Sequence, residues 1–109
     1  MQNFLKQYIS KSKNQVSRVI DGEAVIILRK KGRHKEEERK VIILTPEATR
    51  VWGLLERKLR IDNLVKQISK EFNIDYRENR NEIKEFITSL IKAGLVDVSL
   101  VVKNTFKSQ

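Results

Sequence analysis

The acidic residues between positions 78 and 85 come closest to a set that could do chemistry. Glu78, Glu82 and Glu85 follow one another at spacings of four and three residues, which places them on one surface of a helix. Paired carboxylates can act as general acid and base. This spacing is nevertheless more typical of a solvated helix face whose charges pair with basic neighbours. The three glutamates at 36–38 are adjacent rather than spaced around an ion, which is typical of a solvated run.

Other chemically active residue types are scarce. His34 is the one histidine, it lies between Arg33 and Lys35, and the sequence has no cysteine. A transition-metal site would therefore depend on carboxylates alone, and thiolate nucleophiles and disulfides are excluded. The four glycines are isolated, so there is no glycine-rich phosphate-binding loop. These observations predict a protein without catalytic residues, without a bound metal and without a cofactor.

Charge is unevenly distributed along the 109 residues, whose net charge is +9. Residues 1–20 carry four basic and no acidic residues, and residues 98–109 carry two basic and no acidic residues. The segment between them is therefore close to neutral, which weakens the nucleic-acid interpretation that a basic protein first suggests. No apolar stretch is long enough to cross a bilayer and no signal peptide is recognisable. We therefore expect a cytoplasmic protein that does not bind a membrane.

The elements that must position any functional residue begin with an arm and a hairpin. Residues 1–13 are basic and weakly amphipathic, which predicts an arm or a frayed helix. Two apolar runs, 16–20 and 24–28, flank Asp21-Gly22. This dipeptide favours a two-residue turn between antiparallel strands.

The next stretch predicts a loop, a third strand and a helix. The charged run 30–40 predicts a long hairpin loop, and the apolar run 41–44 predicts the third strand. The chain then passes directly into a first helix, predicted over 46–57. Thr45 can cap the first N–H groups of this helix, and Pro46 suits its first position because an N–H there would have no partner.

Two further helices and a strand complete the pattern. The second helix is predicted over 61–72, and a turn at 73–76 contains Asp75, which resembles the first residue of a capping box. The third helix extends to about Ala93 and has the strongest apolar period in the chain. The alternating residues at 96–102 predict a further C-terminal strand.

This order predicts an α+β, winged-helix-like fold in which a three-stranded antiparallel sheet is followed by three helices (βββααα) and an extra C-terminal strand. We divide the chain into an N-terminal arm at 1–13, a domain at 14–96, and a C-terminal strand with a basic tail at 97–109.

The spacing of apolar residues along 21–96 resembles the PqqD-like family, whose members are also called RiPP recognition elements. The matching motifs are Asp21-Gly22-Glu23-Ala24-Val25, Ile43-Leu44-Thr45, Ala48-x-x-Val51-Trp52-x-Leu54-Leu55, Ile61-x-x-Leu64-x-x-x-Ile68 and Ile83-x-x-Phe86-Ile87-x-x-Leu90-x-x-x-Gly94-Leu95-Val96. The chain departs from the family where Leu44-Thr45 replaces Leu-Asn, and where Glu56-Arg57 replaces the Asp-Gly after the first helix.

The resemblance implies a non-catalytic peptide chaperone of natural product biosynthesis. Such a module binds the leader of a ribosomally made precursor peptide and presents it to a modifying enzyme, often a radical SAM protein. The leader adds as a strand beside the third strand and packs near the third helix. Within this mode we expect the peptide to contact Arg39, Lys40, Val41, Ile42, Ile43, Leu44, Arg80, Ile83, Lys84, Ile87 and Ile91. On the third helix, the three isoleucines would line the floor of the groove and Arg80 and Lys84 its rim, and Arg39 and Lys40 are suited to acidic residues of a leader.

Two other functions stay open at this point. A winged-helix layout is also used by DNA-binding modules, which place a helix in the major groove. Acidic residues on the outer side of the third helix make nucleic acid a poor match. The strand predicted at 96–102 suggests a structural or oligomerisation domain, including a homodimer, in which that strand covers or extends the peptide site.

Overall fold

The computed structural model describes residues 2–31 and 37–99. His34, Glu36 and the predicted strand residues 100–102 lie outside the described residues. In chain order the elements are α1 (Gln2–Lys6), β1 (Tyr8–Lys11), β2 (Gln15–Ile20), β3 (Glu23–Lys31), β4 (Glu37–Ile43), α2 (Pro46–Leu54), β5 (Leu59–Arg60), α3 (Ile61–Phe72), α4 (Tyr76–Lys92) and β6 (Val96–Ser99). The predicted α+β fold is confirmed, with β2, β3 and β4 as its antiparallel sheet.

The hairpin between β2 and β3 turns at Asp21 and Gly22, as the sequence predicts. Their φ angles are 52° and 80°, which is the left-handed backbone that a two-residue hairpin turn requires. The register that follows pairs Ile20 with Glu23 and Gln15 with Leu28.

The charged run 30–40 differs from the expected loop. β3 continues to Lys31 and β4 already begins at Glu37, so the ladder includes the pairs Lys31–Glu37 and Lys30–Glu38. The ladder thus extends into the charged run, and Arg39 belongs to β4 rather than to a loop.

The two ends of the chain form a second antiparallel sheet, in which β1 lies between β5 and β6. Residues 8–11 are thus a central strand rather than part of an arm, and Ile9 is fully buried. Just outside the two ends of this strand, further backbone bonds run from Ser12 N–H to Leu95 O at 2.9 Å and from Ile61 N–H to Gln7 O at 2.8 Å.

The helices begin where the sequence predicts. Thr45 Oγ1 accepts the Ala48 N–H at 3.1 Å to cap α2, and Asp75 Oδ1 accepts the Arg77 N–H at 2.7 Å to cap α4. α2 ends at Leu54, three residues before the predicted end, because the chain must reach β5 and pair with β1. Among the described residues, no helix is long and apolar enough to cross a membrane.

The hydrophobic core joins both sheets to the three long helices. Its fully buried aliphatic side chains are Ile9, Ile26, Leu55, Ile61, Leu64, Ile87 and Leu95. Trp52, with an exposed fraction of 3%, connects α2 to β2 because its Nε1–H donates to Ser17 Oγ at 3.3 Å. The core therefore fixes the position of the sheet relative to the helices.

A hydrogen bond from α2 also holds the start of β3, and it supports a prediction. The Ala24 backbone N–H donates to Thr49 Oγ1 at 2.8 Å, and Ala24 is fully buried. Thr49→Val keeps the branched shape but leaves the buried N–H without this acceptor. We expect the free energy of unfolding in urea to fall by about 1–3 kcal/mol. The control Thr88→Val, on α4, should change it by less than about 0.5 kcal/mol, and equal losses would contradict the role of Thr49.

Candidate functional site

The strand β4 lies at an edge of its sheet. It pairs with β3 on one side, and no strand of the described residues pairs with its other side. The Leu44 N–H donates to Ala24 O at 2.9 Å, which fixes the alternation of backbone groups along β4. In an antiparallel ladder, alternate residues bond to the same neighbour. Even-numbered residues of β4 therefore bond to β3, and the N–H and C=O groups of Val41 and Ile43 point to the open edge.

The same alternation divides the side chains of β4 between two faces of the sheet. Val41 and Ile43 lie on the outer face, and each has an exposed fraction of 61%. Ile42 is half-buried and packs against the core, and Leu44 is buried. The open edge thus joins an exposed apolar face to an inner face that rests on the core.

A groove of about 600 Å³ lies between the start of β4 and the end of α4. Glu38, Arg39 and Lys40 form one side, and Lys92, Ala93 and Gly94 lie opposite. Four basic side chains and two acidic side chains line it, namely Arg29, Arg39, Lys40 and Lys92 against Glu38 and Asp97. The groove therefore favours an acidic ligand.

Gly94 shapes this groove because it ends α4 in a left-handed conformation, with a φ of +78°. A Cβ atom at this position would lie 3.4 Å from Leu28 Cδ2, on β3. Two local bonds close this turn, from Gly94 N–H to Ile91 O at 3.0 Å and from Leu95 N–H to Leu90 O at 3.1 Å. The sequence indicated this glycine as a helix end but gave no sign that it lines a groove.

The structure separates the predicted site residues of α4 into two groups. Ile83 and Ile87 belong to the core, with exposed fractions of 5% and 0%, and Ile91 is half-buried and packs against it. Their side chains therefore support the helix and are not available at its surface. At the end of α4, Lys92 and the following Ala93 line the groove together with β4, and an apolar period does not reveal them.

The predicted rim residues Arg80 and Lys84 line a different cavity, of about 350 Å³. Phe4 and Leu5 of α1 cover this cavity together with Val65 and Tyr76. The Lys84 Nζ atom lies 5.6 Å from the centre of the Phe4 ring. Two residues of the N-terminal helix thus line the same cavity as two α4 residues that the sequence suggested for peptide binding.

The C-terminal strand does not cover the edge of β4 within the described residues. β6 pairs with β1 in the second sheet, from Val96 opposite Lys11 to Ser99 opposite Tyr8. The strand expected to compete for the peptide site therefore belongs, up to residue 99, to the other sheet.

The outer side of α4 offers both signs of charge. Its exposed residues include Arg77, Glu78, Arg80, Glu82, Lys84 and Glu85. Carboxylates at these positions would face the phosphates of any duplex that this helix entered, which is unfavourable. The described residues contain no cluster of three potential metal ligands.

Comparison with known proteins agrees with this α+β fold. Residues 33–96 match the family model of Coenzyme PQQ synthesis protein D (PqqD). The match covers more than half of the chain, so the chain belongs to the PqqD family of precursor-peptide recognition domains. No curated protein matches the sequence.

One similar solved structure is the "Glutamylation domain, TbtB, from thiomuracin biosynthesis". It superposes with a TM-score of 0.67 at 15% sequence identity, over 92% of this chain and 12% of that chain. At this sequence identity, the similarity shows that the two proteins share a fold and nothing beyond it. The present chain thus corresponds in fold to a small part of a much longer protein.

Proposed function

We propose that this protein is a non-catalytic chaperone that binds the leader of a ribosomally made precursor peptide by strand addition to β4. The leader would bond to the backbone groups of Val41 and Ile43 and continue along the groove beside Lys92. Membership of the PqqD family supports the ligand class. The bound complex would then present the rest of the precursor to a modifying enzyme in the cytoplasm, with a radical SAM enzyme as the family's usual partner.

The open edge of β4 is the observation that carries this proposal. Edge strands offer rows of backbone donors and acceptors, and an extended peptide can complete them with little demand on its own sequence. Proteins usually protect such edges with proline, with inward-pointing charge or with a covering element. Residues 41–43 contain neither proline nor charge, and no described strand covers them.

The affinity of this mode would come from the backbone and its selectivity from side chains. Main-chain bonds hold the guest in register, and every second guest side chain lies on the inner face, where the one opposite Lys40 meets the groove. The excess of basic residues in that groove favours leaders with acidic residues. Selection among leaders therefore depends on a few charged positions near the start of β4.

A titration followed by NMR tests the proposal. The ¹⁵N-labelled chain is titrated with blocked synthetic peptides that tile the leader of a precursor encoded beside the gene. We expect saturable shifts of the backbone amides of 38–44 and 92–97, because these segments form the open edge and its groove. The amides of Arg80 and Lys84 should move little, since they line the other cavity.

Three outcomes of this titration would count against the proposal. Shifts centred on Arg80 and Lys84 would move the site to the cavity beneath α1. Shifts along β2, at the opposite edge of the sheet, would show that the peptide adds to β2 and not to β4. Absence of saturable shifts with every leader fragment would remove the chaperone role.

A further inference from the structure

The two faces of β4 present different chemistry to any strand that adds beside it. In a sheet, neighbouring residues on adjacent strands share a face, whichever direction the added strand runs. Guest residues opposite Val41 and Ile43 would therefore lie on the outer face. The guest residue between them would lie on the inner face opposite Ile42. The next inner-face residue would lie opposite Lys40, whose long side chain also reaches its diagonal neighbours.

The outer face carries two rows of mostly apolar side chains that end at the open edge. The pairing register aligns Val16, Ile27 and Val41 in one row, and Arg18, Val25 and Ile43 in the next. Val16, Ile27, Val41 and Ile43 are all exposed, with fractions of 56%, 37%, 61% and 61%. Each row stops at β4, so an apolar guest side chain at that point would cover Val41 or Ile43 and add a fourth member.

At the start of β4, before the half-buried Ile42, the inner side has the opposite preference. Lys40 and Lys92 both line the groove at the start of β4, where basic side chains outnumber acidic ones by four to two. Both lysines are exposed, so their charges are accessible to a guest. A guest carboxylate that points inward would meet these ammonium groups, whereas a guest lysine would be repelled.

We infer that this chain selects peptide segments in which apolar and acidic residues alternate, with the apolar side chains on the outer face and the acidic ones in the groove. This inference rests on the proposed function, since it assumes strand addition at β4. It adds the substrate class: the leader is recognised by an alternating pattern rather than by one conserved residue. Val41 and Ile43 contact the apolar residues of the peptide, and Lys40 and Lys92 contact its acidic residues.

Three blocked heptapeptides test the pattern against the ¹⁵N-labelled full chain. The first is acetyl-EVEVEVE-amide, the second is acetyl-EEVVVEE-amide with the same composition, and the third is acetyl-KVKVKVK-amide. We expect the first to bind β4 at least about fivefold more tightly than the second, because only it can place every valine on one face. The second peptide has the same charge, so it controls for attraction to the net charge of +9. The third should bind most weakly.

Matched variants then assign each half of the pattern. Val41→Thr with Ile43→Thr keeps branched strand formers and should weaken EVEVEVE about fivefold. Val19→Thr with Ile20→Thr makes a similar change on β2, at two positions that are about half exposed and belong to neither row. This control should leave the affinity unchanged within about twofold.

Charge reversal tests the groove. Lys40→Glu with Lys92→Glu should weaken EVEVEVE about tenfold and should make KVKVKVK the tighter ligand. Arg80→Glu with Lys84→Glu changes the net charge equally but acts at the other cavity. At 0.15 M salt, screening should limit its effect on either peptide to about twofold.

The outcomes separate this inference from the proposed function. Equal binding of all three peptides at β4 would overturn the alternating pattern while leaving strand addition intact. If the two charge reversals change the affinity by the same factor, the alternating pattern is also overturned. The groove lysines would then contribute no more than Arg80 and Lys84. Absence of any shift on β4 with these peptides and with the leader fragments would overturn both.

Discussion

Val41→Pro should reduce the affinity for a leader peptide at least about 30-fold while the domain stays folded. The Val41 N–H points to the open edge, so a proline there removes a donor to the guest and not a bond within the sheet. A guest carbonyl at this position would lose its partner and would meet the proline ring instead. Together these losses amount to about 2 kcal/mol or more, measured as the change in Kd by NMR or calorimetry.

The matched control is Val19→Pro on β2. Arg29 N–H donates to Asn14 O, so the even-numbered residues of β2 bond to β3 and the Val19 N–H points to the opposite edge. Val19 is also exposed, with a fraction of 58%. We expect Val19→Pro to leave the affinity within about twofold. If both variants bind equally well, β4 is not the docking strand.

Ile87→Ala should lower the free energy of unfolding by about 2–5 kcal/mol, a large part of the total for a domain of this size. The side chain is fully buried in the core, and its removal leaves a cavity between α4 and its neighbours. The cost is measured by urea denaturation. Any loss of peptide binding should be proportional to the fraction of unfolded protein, because the substitution does not change the site itself.

The control Ile74→Ala makes the same substitution between α3 and α4, where the side chain has an exposed fraction of 37%. We expect it to cost less than about 1 kcal/mol. A stable Ile87→Ala protein with selectively weakened peptide binding would instead place Ile87 in the groove, as the sequence alone suggested.

Local chemistry made much of the fold predictable. The Asp21-Gly22 turn, the Thr45 cap and the Gly94 helix end each depend on neighbours within a few residues, so sequence patterns identify them. The second sheet was not predictable in this way. β1 pairs with β5 and β6, which are far away in sequence, and nothing local to residues 8–11 distinguishes such a strand from a frayed arm.

The candidate site was predictable for the strand and less so for the helix. Residues 41–44 form a short apolar run, which can be recognised directly from the sequence. An apolar period on a helix marks the buried side, however, so it selected Ile83 and Ile87 from the core. Groove residues such as Lys92 depend on how the end of α4 meets the sheet, which only the tertiary structure determines.

Amide hydrogen exchange measures the central claim most directly, because it reports on the backbone donors of β4 one by one. In the absence of peptide we expect the Val41 and Ile43 amides to exchange at least about tenfold faster than the amide of Ile42, which bonds to β3. Saturation with the tightest leader fragment should slow both by at least about tenfold and should leave Val19 unchanged. If Val41 and Ile43 are as protected as Ile42 before any peptide is added, or if saturation does not slow them, the open edge does not hold the leader.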